Sequence, residues 1–362
     1  MSIASKVKSA NIQLYPKHLF YAPNWIVLGV NNVCNLHCKM CDVGTQNLDS
    51  TFAQNLVGTQ PLNMPEELTK KIIDDTARFF PTSKVAYAFT EPLVYPHLIS
   101  TLEYANERGV YTTLTTNALT LPHKAERLVN AGLNQINVSL DGPESTHNEI
   151  RGHKKSFQKA IEGIEKLKSL DNHPEITVIC AITEWNHDQL YEFARFFESI
   201  GIDTLAFMHT QYTTQDLADE HNEIWGQIYP ATDSNVDLID HSNIDLQVLA
   251  EQIRKVKEAR FSFSTYFSPD IDGEKLLYTY YMQPEIFMGK RCHEIFQSIM
   301  IKSDGSVIPA HGRCFNLSLG NMNDQNLKQV WNSGIASKFR ADVSKAGGLL
   351  PACSRCCSGF GE

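Results

Sequence analysis

Alternation of β-rich and helical patterns is the feature that most constrains the fold of this chain. Six short β-rich runs cover 25–30, 84–89, 111–116, 135–140, 177–183 and 204–209, and the amphipathic patterns between them cover 65–80, 97–108, 123–131, 156–170 and 187–200. Strand, helix and strand in regular succession require parallel pairing with right-handed crossovers. The pattern therefore predicts an α/β fold in which six such units form a partial barrel.

A cluster of three cysteines follows the first β-rich run. Cys34, Cys38 and Cys41 lie in the string CNLHCKMC. Three thiolates hold a [4Fe–4S] cube by three of its irons and leave the fourth iron open to a substrate or cofactor. A zinc site normally takes four protein ligands, whereas this local set supplies three. The spacing therefore favours a reactive iron–sulfur cluster over zinc.

The same string resembles the hallmark of the radical S-adenosylmethionine (SAM) superfamily, Cys-x3-Cys-x2-Cys with an apolar residue, here Met40, before the last cysteine. The resemblance implies a partial (β/α)6 TIM-like barrel and a [4Fe–4S] cluster that binds SAM at its open iron site. One electron, from a flavodoxin- or ferredoxin-type reductant, then cleaves SAM to methionine and a 5′-deoxyadenosyl radical, which abstracts a substrate hydrogen. The resemblance thus implies an enzyme of the oxidoreductase or lyase type.

Motif-like strings follow several of the predicted strands, where the active sites of βα barrels form. AFTEPL, after the second run, resembles the family's Gly-Gly-Glu-Pro segment, although a phenylalanine and Thr90 replace the glycines. NVSLDGPESTHNEIRG, in the region of the fourth run, matches the family closely, and the fork of Arg151 suits the SAM carboxylate. The resemblance implies cofactor contacts from Met40, Thr90, Glu91, Thr116, Asn117, Ser139, Asp141, Arg151 and Asn186. Asn186 is equally well explained as the N-cap of a helix that starts at 187.

Five further cysteines lie near the C-terminus, at Cys292, Cys314, Cys353, Cys356 and Cys357. They accompany a predicted β-hairpin with an Asp-Gly turn and a Leu-x2-Val-Trp helix, which together resemble the SPASM/twitch extension of radical SAM enzymes. The resemblance implies one auxiliary [4Fe–4S] cluster held by Cys292, Cys314, Cys353 and Cys356. Cys357 is left over, either as a replacement for Cys356 or as a free thiol. A structural zinc held by four thiolates is the alternative.

These features divide the chain into an N-terminal extension (1–23), a radical SAM core (24–212), a connecting and substrate-covering segment (213–289) and a SPASM/twitch-like auxiliary-cluster domain (290–362). In the connecting segment, 244–259 has a strong helical pattern and the aromatic run FSFSTYF is typical of a strand. Such aromatics are core residues more often than walls of a substrate site. His209 and Gln211, at and just after the end of the sixth run, are either substrate contacts or satisfied surface residues.

Composition argues against several classes of function. A net charge of −9 leaves no basic footprint for nucleic acid. No stretch of about 18 apolar residues and no secretory signal is present, so neither membrane spanning nor export is supported. Nine cysteines, an odd number grouped at ligand spacing, fit metal binding in a reducing cytoplasm better than disulfides. The sequence indicates no particular oligomeric state.

Two classes of substrate fit these features. The first is a small polar metabolite of the sugar, aminocyclitol or nucleoside type, which a biosynthetic enzyme would dehydrogenate, epimerise or eliminate. The second is a ribosomally made precursor peptide, modified by a radical SAM maturase. Because such maturases often carry an N-terminal leader-binding domain, the 33 residues before Cys34 favour the small molecule. A non-catalytic iron–sulfur scaffold is disfavoured by the SAM-contact motifs.

An epimerisation needs a hydrogen donor, often a thiol, and the weak candidates for such a catalytic residue are Cys180 and Cys357. Cys180 alternates in phase with the apolar residues of the fifth β-rich run, as a core cysteine does. Neither thiol by itself establishes an epimerase.

Overall fold

The computed structural model describes residues 3–360, which are built around one ten-stranded sheet. The strands are β1 (Trp25–Leu28), β2 (Lys84–Tyr87), β3 (Thr112–Thr116), β4 (Gln135–Ser139), β5 (Glu175–Ile182), β6 (Thr204–His209), β7 (Ser264–Ser268), β8 (Ser298–Ile301), β9 (Ser306–Pro309) and β10 (Gly320–Asn321). Their order is β10-β9-β8-β1-β2-β3-β4-β5-β6-β7. Neighbours from β1 to β7 are parallel, and the end strands do not pair with each other. The expected α/β partial barrel is confirmed.

Helices connect the parallel strands and cover the sheet. They are α1 (Ile3–Leu14), α2 (Asp42–Thr45), α3 (Thr51–Val57), α4 (Glu66–Phe79), α5 (Leu98–Glu107), α6 (Leu121–Asn130), α7 (Glu144–Ile150), α8 (Ser156–Lys168), α9 (Leu190–Ile200), α10 (Gln215–Trp225), α11 (Leu246–Glu258), α12 (Glu274–Met282), α13 (Leu327–Trp331) and α14 (Gly334–Lys345). In the part of the chain that the structure describes, none of them combines the length and the apolar character that a membrane crossing requires.

The helix α9 illustrates how the sequence pattern produces this packing. Leu190, Phe193, Ala194 and Phe197 recur at helical spacing on one face, and all four are buried against the core. The helix ends at Gly201, whose φ of 73° is the left-handed conformation that glycine adopts without a steric penalty. Apolar periodicity therefore fixes which face meets the sheet, and glycine fixes where the helix stops.

A seventh parallel strand extends the sheet beyond the six predicted units. The aromatic run of the connecting segment forms β7, which pairs with β6, and the rings of Phe207 and Phe267 stack with centroids 5.0 Å apart. Phe263 and Phe267 are buried, as core aromatics are, whereas Tyr266 is half exposed. The segment 213–289 therefore contributes a strand to the barrel sheet.

The C-terminal extension joins the opposite side of β1. The strand β8 runs parallel to β1, and β8 and β9 form the expected antiparallel hairpin, whose turn contains Gly305 at a φ of 82°. Further along, Trp331 Nε1 donates to the carbonyl of Tyr21 at 2.9 Å. The N-terminal segment is thus joined to α13 of the C-terminal extension.

Candidate active site

The three cysteines of the CNLHCKMC string line one cavity at the carboxyl end of β1. Its volume is about 270 Å³, and its other lining residues are Leu36, Val43, Gly44, Leu56, Phe89 and Thr90. The loop folds back tightly at this point and brings the backbone of Cys38 against Gly44. A Cβ at Gly44 would collide with that backbone, so the position requires glycine. Local backbone geometry therefore brings Cys34, Cys38 and Cys41 to a common space, as the spacing predicts.

Burial raises the pKa of each of these thiols, for Cys38 to about 12. Iron binds the thiolate, so cluster binding must release these protons and keep the resulting negative charge inside the protein. One cation is already in place, because Nη1 of Arg151 lies 3.7 Å from Cys38 Sγ. The donor set fits an iron–sulfur group, since it has three thiols and an adjacent guanidinium.

Arg151 is held by Asp141 as well as by the cysteine loop. Its Nε donates to Asp141 Oδ2 at 2.5 Å, and its side chain is only 12% exposed. Burial alone would lower the pKa of Arg151, but Asp141 and Cys38 together raise it. Asp141 also accepts from the backbone N–H of Ala181, so its position is tied to β5. The structure therefore places a permanent positive charge beside the cluster loop.

His147 completes this arrangement from the side of α7. Its Nδ1 accepts from the backbone N–H of Asp141 at 3.0 Å, and burial lowers the pKa of His147 to about 3. The ring is therefore neutral, which leaves the Asp141–Arg151 pair as the charged element at this strand end.

Glu91 lies in the loop after β2, but its carboxylate points into the protein. It is fully buried and accepts from the backbone N–H groups of Leu93 and Asn117 and from Thr116 Oγ1, at 2.9, 2.8 and 2.6 Å. Glu91 thus ties the end of β2 to the end of β3. Thr90 reaches the cysteine cavity together with Phe89 of the same loop, and the hydroxyl of Thr90 donates to the carbonyl of Asn31 at 2.8 Å.

Asn186 has the same kind of structural role after β5. Its Oδ1 accepts from the N–H of Thr183, and its Nδ2 donates to the carbonyls of Asp141 and Ala181. The alternative in which Asn186 is the N-cap of the next helix is wrong, because α9 begins at Leu190. The helix thus begins three residues later than predicted, with Gln189 at its N-cap.

The other SAM-contact candidates lie at the same end of the sheet. Met40 is half buried next to Cys41, and Ser139 is half buried as the last residue of β4. Asn117 is nearly buried, and its Nδ2 donates to Asn35 Oδ1 of the cysteine loop at 2.7 Å. The structure thus brings the strand-end motifs around one loop, although several of their polar groups are used within the protein.

Cys180 and His209 lie in the core. Cys180 is fully buried in β5, and its nearest polar neighbours are Asn186 Nδ2 at 3.7 Å and the carbonyl of Ala181. His209 is 1% exposed, and its Nδ1 lies 2.7 Å from the hydroxyl of Tyr281. Burial lowers the pKa of His209 to about 3, so it is a neutral core histidine.

A second, larger cavity of about 620 Å³ lies at the C-terminal extension. The four cysteines proposed as auxiliary ligands, Cys292, Cys314, Cys353 and Cys356, all line it. Cys357 is not among the lining residues, and its backbone N–H faces Gln211 Oε1 at 3.4 Å. Geometry therefore favours Cys356 over Cys357 as the fourth thiol of this site.

Thiol protonation differs within this set. Burial raises the pKa of Cys292, Cys314 and Cys353, for Cys353 to about 12. Cys356 behaves oppositely, because a hydrogen bond from Cys357, with help from His311, holds its pKa well below the usual thiol value.

Sulfur spacing argues against zinc at this second site. Tetrahedral zinc with Zn–S bonds near 2.3 Å brings its sulfurs to about 3.8 Å from one another. Within residues 3–360, only one set of three possible ligand atoms from His, Cys, Asp or Glu is as close as 4.8 Å for every pair. That set is His311, Cys356 and Cys357. The four lining cysteines are more widely spread, as ligands to separate irons of a cube are.

A buried carboxylate that the sequence did not single out joins the connecting segment to the cysteine loop. Asp42, directly after Cys41, is 0% exposed and accepts from Ser50 Oγ, Ser234 Oγ and the backbone N–H of Asn235 at 2.6, 2.8 and 2.6 Å. Its own N–H faces Asn235 Oδ1 at 3.2 Å. The only sequence signal was an acidic residue next to the third cysteine.

The two cysteine sites are also in contact through α3 and the loop after β9. Asn55 Nδ2 donates to the carbonyls of Gly312 and Cys314 at 2.9 and 2.7 Å. Phe89, which lines the first cavity, stacks on His311, which lines the second, with ring centroids 6.2 Å apart. The residues between the sites are therefore packed side chains of both parts of the chain.

Comparison with known proteins agrees with this geometry. The model of the radical SAM superfamily matches residues 29–197, and that of an iron–sulfur cluster-binding domain, SPASM, matches residues 292–357. The chain belongs to the radical SAM superfamily and carries a SPASM domain. It therefore uses a [4Fe–4S] cluster, SAM and auxiliary iron–sulfur chemistry, for which both cysteine cavities have fitting donor sets.

Relatives and solved structures of this family extend along most of the chain. The tungsten-containing aldehyde ferredoxin oxidoreductase cofactor-modifying protein of Pyrococcus furiosus is 24% identical, over 92% of this chain and 86% of that protein. The Fe-coproporphyrin III synthase of Methanosarcina barkeri is 22% identical, over 91% and 80%. Streptococcus suis SuiB bound to SAM superposes with a TM-score of 0.63 at 17% identity, over 97% and 76% of the two chains, and its complex with the precursor peptide SuiA gives the same TM-score at 18% identity, over 97% and 75%.

Proposed function

We propose that this radical SAM enzyme abstracts a hydrogen atom from a small polar metabolite of the sugar, aminocyclitol or nucleoside type. The supporting observation is the cavity at the C-terminal extension, whose lining combines hydroxyl-bearing side chains with the auxiliary cysteines. One of its walls carries the four auxiliary cysteines, and another carries Thr51 and Phe52 from the region after the first cysteine loop. A metabolite bound beside the auxiliary cluster, against Thr51 and Phe52, would lie between the two groups of cysteines.

The walls of the cavity suit a polar compound that is partly shielded from water. The hydroxyl-bearing residues among its lining are Thr51, Thr213, Thr232, Ser234 and Ser358. Thr232 and Ser234 come from the connecting segment, which Asp42 holds against the cysteine loop. The two full-length relatives described above are named for work on a tungsten-enzyme cofactor and on an iron porphyrin, which also favours a small molecule over a peptide.

In this proposal, Cys34, Cys38 and Cys41 hold the first cluster, and Cys292, Cys314, Cys353 and Cys356 hold the auxiliary cluster. When bound, the first cluster and SAM supply one-electron cleavage of SAM and hydrogen abstraction from the substrate. Arg151 keeps positive charge beside Cys38 and the SAM carboxylate, and Asp141 fixes its orientation. Thr90, Thr116, Asn117 and Ser139 line the strand ends that SAM contacts, while Glu91 and Asn186 hold those loops in position.

The buried position of Cys180 bears on the reaction outcome. A hydrogen donor for epimerisation must reach the substrate, and Cys180 is enclosed in β5. Cys357 is hydrogen-bonded to Cys356 and does not line the cavity. We therefore favour dehydrogenation or elimination over epimerisation. A flavodoxin- or ferredoxin-type reductant in the cytoplasm would supply the electron, in keeping with nine free thiols.

Isotope transfer tests this function directly. Cells grown on deuterated medium yield a deuterated small-metabolite filtrate and a deuterated peptide fraction, and each is incubated with reduced holoenzyme and unlabelled SAM. The proposal expects deuterium in 5′-deoxyadenosine from the metabolite filtrate. The Cys34/Cys38/Cys41→Ala variant is the control and should form no 5′-deoxyadenosine. Deuterium transfer from the peptide fraction alone would replace the proposal with a peptide maturase.

A further inference from the structure

Arg313 is a cation in the wall of the larger cavity, in the loop between β9 and Cys314. Its side chain is half buried. The guanidinium lies over the ring of Phe52, with 5.0 Å between the guanidinium carbon and the ring centroid. Its one side-chain hydrogen bond within residues 3–360 is long, from Nη2 to Ser234 Oγ at 3.4 Å. The guanidinium of Arg313 has five N–H donors, and almost none of them has a partner within the described part of the protein.

Several other arginines of the described chain use their donors within the protein. Arg108, Arg151, Arg195 and Arg254 form ion pairs with aspartate or glutamate, whereas Arg313 has no carboxylate within 4.0 Å in residues 3–360. Arg355, which is fully buried, donates to the backbone carbonyls of Thr279, Tyr280, Gln283 and Ile286 among others. Arg313 has neither kind of partner within residues 3–360.

The nearby carboxylate of Asp42 does not supply that partner. It reaches Arg313 only through the hydroxyl of Ser234, and its oxygens already accept from Ser50, Ser234 and Asn235. The chain thus fixes the position of Arg313 from two sides, with Phe52 beneath it and Ser234 beside it. A guanidinium held this way presents its free N–H groups to whatever enters the cavity.

We propose that Arg313 binds an oxyanionic group of the substrate, a carboxylate or a phosphate, and so selects anionic metabolites. A planar guanidinium binds either oxyanion through two parallel hydrogen bonds, and the hydroxyls of Thr51, Thr232 and Ser234 in the same cavity suit the rest of a polar compound. This inference rests on the small-molecule function proposed above and narrows its substrate class. Arg313 is then a specificity-determining residue, separate from the groups that hold the clusters and SAM.

The test uses holoenzyme with both clusters and SAM, titrated without oxygen at constant ionic strength with propionate and, separately, with inorganic phosphate. Calorimetry on wild type should show saturable binding of at least one of these two probes, and the one that binds tells carboxylate from phosphate. Arg313→Gln should weaken that binding about tenfold or more, because a charge-assisted bidentate contact is lost. Arg313→Lys, which keeps the charge but not the fork, should lie in between.

Arg260→Gln is the matched control, because Arg260 is exposed, has no ion pair and lies outside the cavity. It should bind as wild type does. No saturable binding in wild type, or equal binding in wild type and both Arg313 variants, would overturn the proposal. If Arg313→Gln fails to keep its clusters, the Arg313→Lys variant alone decides between the outcomes. An oxyanion affinity of Arg313→Lys equal to that of wild type would then reject the bidentate site.

In the competing explanation, the positive charge of Arg313 only tunes the reduction potential of the auxiliary cluster. A separate measurement detects this. The reduction potential of the auxiliary cluster is measured in the same variants, and a shift without any loss of oxyanion affinity would overturn the proposal. The failure of the proposed function can be told apart from the failure of the Arg313 site. Deuterium transfer from peptides alone would reject the small-molecule reaction, even if oxyanion binding that depends on Arg313 is observed.

Discussion

Asp42 and Ser234 are 192 residues apart in the sequence, and a hydrogen bond of 2.8 Å joins their side chains. This contact attaches the connecting segment to the residue that directly follows the third cysteine. Because Asp42 is fully buried and also accepts from Ser50 and Asn235, the cysteine loop is fixed by one nearby serine and by one distant segment of the chain.

Replacing Asp42 by asparagine should therefore loosen both the fold and the first cluster. The new amide would present N–H groups to donors in a buried site, which should cost about 1–3 kcal/mol of unfolding free energy. Urea unfolding of the iron-free protein measures the stability, and iron release to a chelator measures the cluster. Asp237→Asn is the control, since Asp237 contacts Thr45 and Asn47 of the same loop but is exposed. Equal losses in both variants would contradict the role of Asp42.

The neighbouring thiols Cys356 and Cys357 should behave differently when each is replaced by alanine. Reconstituted wild type should hold about eight irons, four for each cube. Cys356→Ala should keep about four, because it removes a thiol that lines the auxiliary cavity, whereas Cys357→Ala should keep all eight. Metal analysis and electron paramagnetic resonance measure the difference. The reverse pattern would assign the fourth ligand to Cys357, and zinc in place of the auxiliary iron would reject the cluster.

Arg151→Lys should weaken SAM binding about tenfold or more while both clusters remain. A lysine ammonium cannot reproduce the simultaneous contacts of Arg151 with Asp141 Oδ2 and Cys38 Sγ and still face the SAM carboxylate. Anaerobic SAM titration of the holoenzyme measures the affinity, and iron content checks the clusters. Arg195→Lys, in an exposed pair with Glu198, should bind SAM as wild type does. Unchanged affinity in Arg151→Lys would remove this residue from the site.

His209 should make stability fall as the pH is lowered. Burial lowers its pKa from 6.5 to about 3, so below pH 6.5 the unfolded chain takes up a proton that the folded protein does not. Between about pH 7 and about pH 5.5 this histidine should cost about 1 kcal/mol of unfolding free energy. His209→Gln should lose less stability over that range than wild type by this amount. His18→Gln, at an exposed position, should follow wild type, and identical pH profiles for all three proteins would reject the prediction.

Much of the barrel follows from local patterns in the sequence. The six predicted runs correspond to β1–β6, and the turn at Gly305 and the helix α13 lie where the motifs indicate. Parallel order and strand-end sites follow from connectivity, so the first cysteine site could be foreseen as well. These features depend on residues that are close in sequence.

The contacts that could not be foreseen join residues far apart in sequence. Nothing local distinguishes the Asp42 carboxylate from a surface aspartate, because its partners come from residues 234 and 235. Glu91 and Asn186 match family motifs, but a motif does not reveal that their polar atoms bond to neighbouring loops. The pairing of β7 with β6 likewise depends on packing between Phe207 and Phe267, which periodicity alone does not show.

The strand β1 lies between β2 and β8, so one four-residue strand belongs to the barrel and to the C-terminal extension at once. The loop with the first three cysteines leaves from its end, and the auxiliary cysteines lie on both sides of β8 in the sequence, Cys292 before it and Cys314, Cys353 and Cys356 after it. Swinging the extension away from the barrel would have to break the β1–β8 ladder. The separation between the two groups of cysteines is therefore built into the strand pairing and does not depend on a hinge between two bodies.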